Sequence, residues 1–193
     1  MAFQTSNGFN NQNNSQGDKK KTNFPVGRLF GSDAKMNISI WNSDSAVFTI
    51  IAIAQSVGKD PSTGANVYEQ KAPNELPRIF LKPQDLAALV SFTKTLDING
   101  SATYPFPQKN GSKMTISVNN AKVTITTETT KNGTRTITFD PETFGSINVN
   151  GNWNLFKKYL EIAYKKALFA KLDQEEFGMV VAAAESAESE VPI

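Results

Sequence analysis

The sequence predicts an α+β fold of two antiparallel half-sheets, each of about four strands followed by a helix (β4-α-β4-α). Three observations predict it. Apolar and polar residues alternate with period two in two blocks, Met36–Leu81 and Lys113–Phe139. Each block is followed by a stretch with helical spacing, one opening at Pro83 and one near Asn152. Asn-, Gly- and Pro-rich turn signals punctuate the blocks, Asn132-Gly133 being the strongest.

The elements follow in order. Met36, Ile38 and Ile40 alternate with Asn37, Ser39 and Trp41, as in a strand with one buried face. Ala46–Ser56 is apolar on both faces and rich in β-branched residues, which suits a central strand. A loop at 58–64 leads to a strand over Asn66–Lys71, and Arg78–Leu81 makes a short fourth. Pro83 fits the first turn of a helix and Asp85 its positive end. Leu86, Leu89, Val90, Thr93 and Leu96 give that helix one apolar face, and it should stop near Asp97.

Tyr104 and Phe106 fall in a Pro-containing stretch that reads as an exposed loop. Strands then run over Lys113–Asn119, Lys122–Glu128 and Thr134–Phe139. The last helix spans about Asn152 to Glu176, with Phe156, Tyr159, Leu160, Ala163, Ala167 and Leu168 as its apolar stripe.

At 193 residues the chain has room for one domain with loose ends. Residues 1–23 are polar, Asn/Gln-rich and of low complexity, so they read as a disordered arm; residues 24–177 form the domain and 178–193 an acidic tail. The absence of Cys and His excludes Cys/His zinc sites, thiol catalysis and Ser-His-Asp triads. No enzymatic activity and no cofactor or metal are expected. No signal peptide and no membrane span are read, which predicts a cytoplasmic protein.

Charge is unevenly divided. Residues 1–172 carry all 20 bases against 12 acids, a balance of +8, while residues 173–193 carry six acids and no base. A basic body attracts polyanions, and an acidic tail competes for the same surface. Trp41 on the polar side of its strand, Tyr68 near Lys71, and Tyr104 with Phe106 add aromatics to that basic body. Rings that stack on unpaired bases, interleaved with cations that track phosphates, suit single-stranded nucleic acid.

The candidate contacts are Lys35, Trp41, Tyr68, Lys71, Arg78, Tyr104, Phe106, Lys113, Lys122 and Arg135. The bland alternatives stay open: a Thr-rich sheet face is also a plain solvent face, and Trp41 with Phe48 would also pack against a neighbouring subunit. Val191, Pro192 and Ile193 form an apolar tip that suits a partner protein's groove. Gly58-Lys59 is no phosphate loop, because the motif lacks its first Gly and Asp60 follows the lysine.

The strand–helix order, and the passage Ile79-Phe80-Leu81-Lys82-Pro83-Gln84-Asp85-Leu86-Ala87-Ala88-Leu89, resemble the Whirly family and related transcription-coactivator-type single-stranded-DNA binders over residues 25–176. The lysine-glycine-lysine-alanine motif of plant Whirly proteins is absent, so no single contact residue is carried over. The resemblance implies binding of single strands across sheet surfaces and a homo-oligomer built through helices. The acidic tail with its apolar tip is similar to the C-termini of bacterial and phage single-stranded-DNA-binding proteins, which implies recruitment of replication or repair proteins and, for a phage protein, the host cytoplasm. The expected function is sequence-tolerant binding of single-stranded DNA during replication or recombination, with RNA as the other polymer these contacts serve. The rival expectation is a structural or adaptor protein, such as a virion or assembly component, that self-associates without nucleic acid.

Overall fold

The computed structural model describes residues 22–43, 46–71, 75–96, 101–107 and 111–188; for residue 22 and for 101–106 and 177–188 it describes the backbone alone. The fold is α+β with antiparallel sheets and two helices. Strands β1 (Thr22–Phe30), β2 (Ala34–Ser43), β3 (Ala46–Lys59), β4 (Asn66–Tyr68) and β5 (Arg78–Leu81) precede helix α1 (Pro83–Thr95). Strands β6 (Ser101–Pro107), β7 (Lys113–Asn119), β8 (Lys122–Thr129), β9 (Gly133–Phe139), β10 (Glu142–Phe144) and β11 (Ile147–Val149) precede helix α2 (Gly151–Glu188).

The expected pair of four-stranded half-sheets is corrected to three sheets. The first has five strands in the order β1-β2-β3-β4 with β5 also on β3; the second has four, β6-β7-β8-β9; β10 and β11 form a separate two-stranded hairpin. The extra first-sheet strand is β1, paired along β2 from Thr22↔Asn42 to Phe30↔Lys35 with a bulge between Pro25 and Gly27. An edge strand tolerates Pro25 because no partner needs the missing N–H. Gly27 is required by packing: a Cβ there would overlap the ring of Tyr159 on α2.

Tyr104 and Phe106 lie in strand β6, paired with Ile116 and Met114, instead of in a loop. Their side chains lie outside the described residues, as do residues 1–21 and the tip Val191-Pro192-Ile193.

One hydrophobic cluster holds the elements together. It takes Met36, Ile38, Ile40, Ile51, Ile53, Ile79 and Leu81 from the first sheet and Met114, Ile116, Val123, Ile125, Ile137 and Phe139 from the second. Leu86, Leu89 and Val90 of α1 and Trp153, Phe156, Leu160, Ala163 and Ala167 of α2 complete it. The alternation read in β2, β7 and β8 therefore selects the buried face, since residues two apart share a side.

Helix α2 starts on a cap that the sequence only hints at. Buried Asn150 accepts the Trp153 N–H at 2.9 Å and donates to the carbonyls of Ala121 (2.8 Å) and Phe139 (2.9 Å). The side chain thus caps the start of the helix and ties it to the β7–β8 turn, where Asn120 and Ala121 both have positive φ. At its other end α2 passes Glu176 and continues to Glu188, through the start of the acidic segment.

Candidate nucleic-acid interface

The two faces of the five-stranded sheet differ. One is covered by the core and α2. The other is open and lines a groove of about 930 Å³. The β2–β3 register Lys35↔Ala54, Asn37↔Ala52, Ser39↔Ile50 and Trp41↔Phe48 places these residues together on the open side. Arg28 and Phe30 of β1 and Arg78 and Phe80 of β5 join them through Arg28↔Asn37, Phe30↔Lys35, Ala52↔Arg78 and Ile50↔Phe80.

Aromatic rings occupy both ends of this face. At one end Phe30 and Tyr68 lie 6.1 Å apart between centroids, with Lys35 Nζ 4.8 Å above the Tyr68 ring. At the other, Trp41 and Phe48 are 5.8 Å apart, Phe80 meets Phe48 edge-on at 6.2 Å, and the Arg78 guanidinium lies 5.6 Å from the Phe80 ring. Phe30 remains 51% exposed, a large ring offered to solvent. The floor between is small, Ser39, Ala52 and Ala54 with Asn37, and Arg28 Nε donates to Asn37 Oδ1 at 3.0 Å.

Charge in the groove is mostly positive: Arg28, Lys35, Lys71 and Arg78 line it, and Glu69 is the one carboxylate among the described residues that line it. Glu69 is neutralised locally. Arg135 Nε and NH2 donate to its two oxygens at 2.8 and 3.1 Å, the Gln55 N–H donates at 3.0 Å, and Lys71 Nζ lies 3.4 Å away. The Arg135 hydrogen bonds, helped by the Gln55 amide and against partial burial, pull the Glu69 carboxyl down to about 2. The net field of the groove is thus that of its cations, whose attraction for phosphates needs no base identity.

Of the residues expected from the sequence, Lys35, Trp41, Tyr68, Lys71 and Arg78 meet on this face. Lys113 and Lys122 do not: they lie on the outer, Thr-rich face of the four-stranded sheet, paired with Glu128 at 2.9 Å and Asp140 at 3.0 Å. Arg135 shares the inward parity of Ile137 and Phe139 and is spent on Glu69, so it shapes the groove wall from behind. Tyr104, Phe106, Val191, Pro192 and Ile193 fall outside the described side chains.

Sequence reasoning missed Arg28, Phe30 and Phe80. For Phe80 a signal existed, since it sits two residues from Arg78 and so on the same side of β5. Arg28 and Phe30 needed β1, which Pro25 and Gly27 disguise.

Among the described residues no helix is long and apolar enough to cross a membrane, and no group of acidic, His or Cys side chains is placed to hold a metal ion. No protein-family model matches the sequence, and no curated protein matches it.

Proposed function

We propose that the protein binds single-stranded DNA with little regard to sequence, coating or protecting strands during replication or recombination. The observation that carries this reading is the open face of the five-stranded sheet, where Arg28, Lys35, Lys71 and Arg78 stand among Phe30, Tyr68, Trp41, Phe48 and Phe80. Unpaired bases stack on such rings at ~1–3 kcal/mol each, while a duplex keeps its bases stacked on one another. The carboxylate in the described lining of the groove, Glu69, is held ionised by Arg135 and Lys71, which suits it to shaping the wall and not to proton transfer.

The repeated sheet-then-helix order supports a Whirly-like arrangement as the finer description of the fold. The acidic segment beyond Asp173 serves, in this reading, as a contact for replication or repair proteins. Self-association is part of the proposal, because Leu155, Ile162 and Phe169 recur at seven-residue spacing on the exposed side of α2, with Phe169 65% exposed.

Titration of a fluorescent oligo-dT at low salt tests the class directly, with a duplex of equal length as comparator and oligo-U for the RNA alternative. Saturable binding of oligo-dT and weaker binding of the duplex are expected. No binding at micromolar protein would leave the structural or adaptor reading, which the same α2 stripe favours.

A further inference from the structure

We infer that the open face of the five-stranded sheet is a two-platform site that holds a single strand at both ends, so that full affinity needs a minimum length of about four to seven nucleotides. This rests on the function proposed above and adds how the ligand is held. The sheet register orders the face along β2. Tyr68 lies at the level of Ser56, and Phe30 and Lys35 at the level of Ala54; Arg28 and Arg78 at the level of Asn37 and Ala52; Phe80 at the level of Ser39 and Ile50; Trp41 and Phe48 at the far end. The rings therefore form two separate clusters, Phe30 with Tyr68 and Trp41 with Phe48 and Phe80, and no ring contact joins one cluster to the other among the described residues.

Along β2, Lys35 is four positions from Ser39, the level of Phe80, and six from Trp41, which at ~3.3 Å per residue puts the second cluster roughly 13 to 20 Å from the first. A stacked strand advances ~3.4 Å per nucleotide and would cover that span in about four to six steps; a splayed strand needs fewer. Between the clusters the floor is too small to stack a base: Asn37 and Ala52 offer no ring. The groove is flanked there by Arg28 on β1 and Arg78 on β5, cations suited to the phosphates that pass between the platforms. Once one end is seated, the second binds at a high effective concentration, so affinity should rise sharply at the length that reaches both.

The test measures fluorescence anisotropy for oligo-dT of 3 to 15 nucleotides at fixed low salt. The full-length wild-type protein is compared with Phe30→Leu/Tyr68→Leu and Trp41→Leu/Phe80→Leu. Leucine keeps an apolar side chain and removes the ring, and thermal melts of each variant establish that it is folded. The wild type should gain more than about tenfold in affinity between dT3 and dT12, with the rise falling between about four and seven nucleotides. Either pair of substitutions should abolish most of that gain, weakening dT12 at least tenfold and dT3 by about twofold, as one of two docking places is lost. A gradual gain with length in the wild type would overturn the two-platform site while leaving single-strand binding in place. So would an equal loss for dT3 and dT12 in the variants. Failure of every oligonucleotide to bind would overturn the proposed function and this inference with it.

Discussion

Arg135 on β9 reaches across from the four-stranded sheet and grips Glu69 with two parallel hydrogen bonds, 2.8 and 3.1 Å long, at the rim of the other sheet's open face. The Glu69 side chain is only 8% exposed, so this fork is a partly dry, charge-assisted contact. It fixes the end of β4 and the residues that follow, which include Tyr68 and Lys71, against the start of β9. Asn132 Nδ2, donating to the Leu76 carbonyl at 3.0 Å, fastens the same seam a little further along.

Acid should loosen that seam. The Glu69 carboxyl lies at about 2 in the folded protein against an ordinary 4.5. A depressed carboxyl contributes stability that is complete above its unfolded value and is lost as the pH falls through the folded one. Urea unfolding at a series of pH values should therefore show stability falling from about pH 5 downward. Glu69→Gln should cost ~1.5–3 kcal/mol at neutral pH and flatten part of the acid dependence.

Asn150 offers a sharper stability test. Its amide caps α2 and satisfies two buried carbonyls at once. Asn150→Ala removes the cap, typically ~1 kcal/mol, and strands both carbonyls away from water, so a loss of about 2–4 kcal/mol is expected by denaturant melts. Asn150→Asp keeps the acceptor for Trp153 but turns a carboxylate toward the carbonyls of Ala121 and Phe139. It should do no better than alanine.

The two tryptophans make a built-in reporter. Trp153 is buried against Phe156, 5.6 Å between rings, whereas Trp41 is half-buried on the open face beside Phe48. A base stacking at that end should quench Trp41 alone. Titration with oligo-dT should give saturable quenching in the wild type, and Trp41→Phe should remove it while leaving the Trp153 emission. Quenching that survives Trp41→Phe would place the contact elsewhere.

Self-association through α2 makes its own demand. Phe169→Glu puts a charge at the most exposed position of the Leu155/Ile162/Phe169 stripe, on a side chain that supports no buried core. Light scattering at tens of micromolar should show the wild type larger than a monomer and Phe169→Glu shifted toward one, with the melting temperature little changed. A monomeric wild type would remove oligomerisation from the account.

Much of this was legible in the chain, for physical reasons that also explain the gaps. Period-two alternation at Met36–Trp41 and Lys113–Thr126 marks faces directly, because a strand cannot turn one side chain without turning all of them. That parity is why Lys35 and Trp41 share the open face. It also places Arg135 with Ile137 and Phe139, the inward side, so its assignment to the nucleic-acid surface was open to correction from the sequence itself. Strand β1 was hidden because Pro25 and Gly27 read as breakers; one is tolerated by an edge and the other is demanded by Tyr159, and neither fact is local. Strand β6 was hidden in the same way by Pro105 and Pro107 on the edge of its sheet. Helix α2 outran its expected end at Glu176 because the change from basic to acidic composition at Asp173 is a change of charge, which does not stop a helix of Ala, Glu and Val.

The most direct measurement of the central claim compares two pairs of charge removals for their effect on dT12 affinity across a salt series. Arg28→Ala/Arg78→Ala strips the middle of the groove, and Lys113→Ala/Lys122→Ala strips the outer face of the other sheet. If the open face of the five-stranded sheet carries the strand, the first pair should weaken binding at least tenfold at low salt. It should also reduce the slope of log K against log salt by about 1.4, the counterion release of two phosphate contacts on a single strand. The second pair should change affinity by about twofold or less. Equal weakening by both pairs, or a groove pair that binds as the wild type does, would contradict the claim.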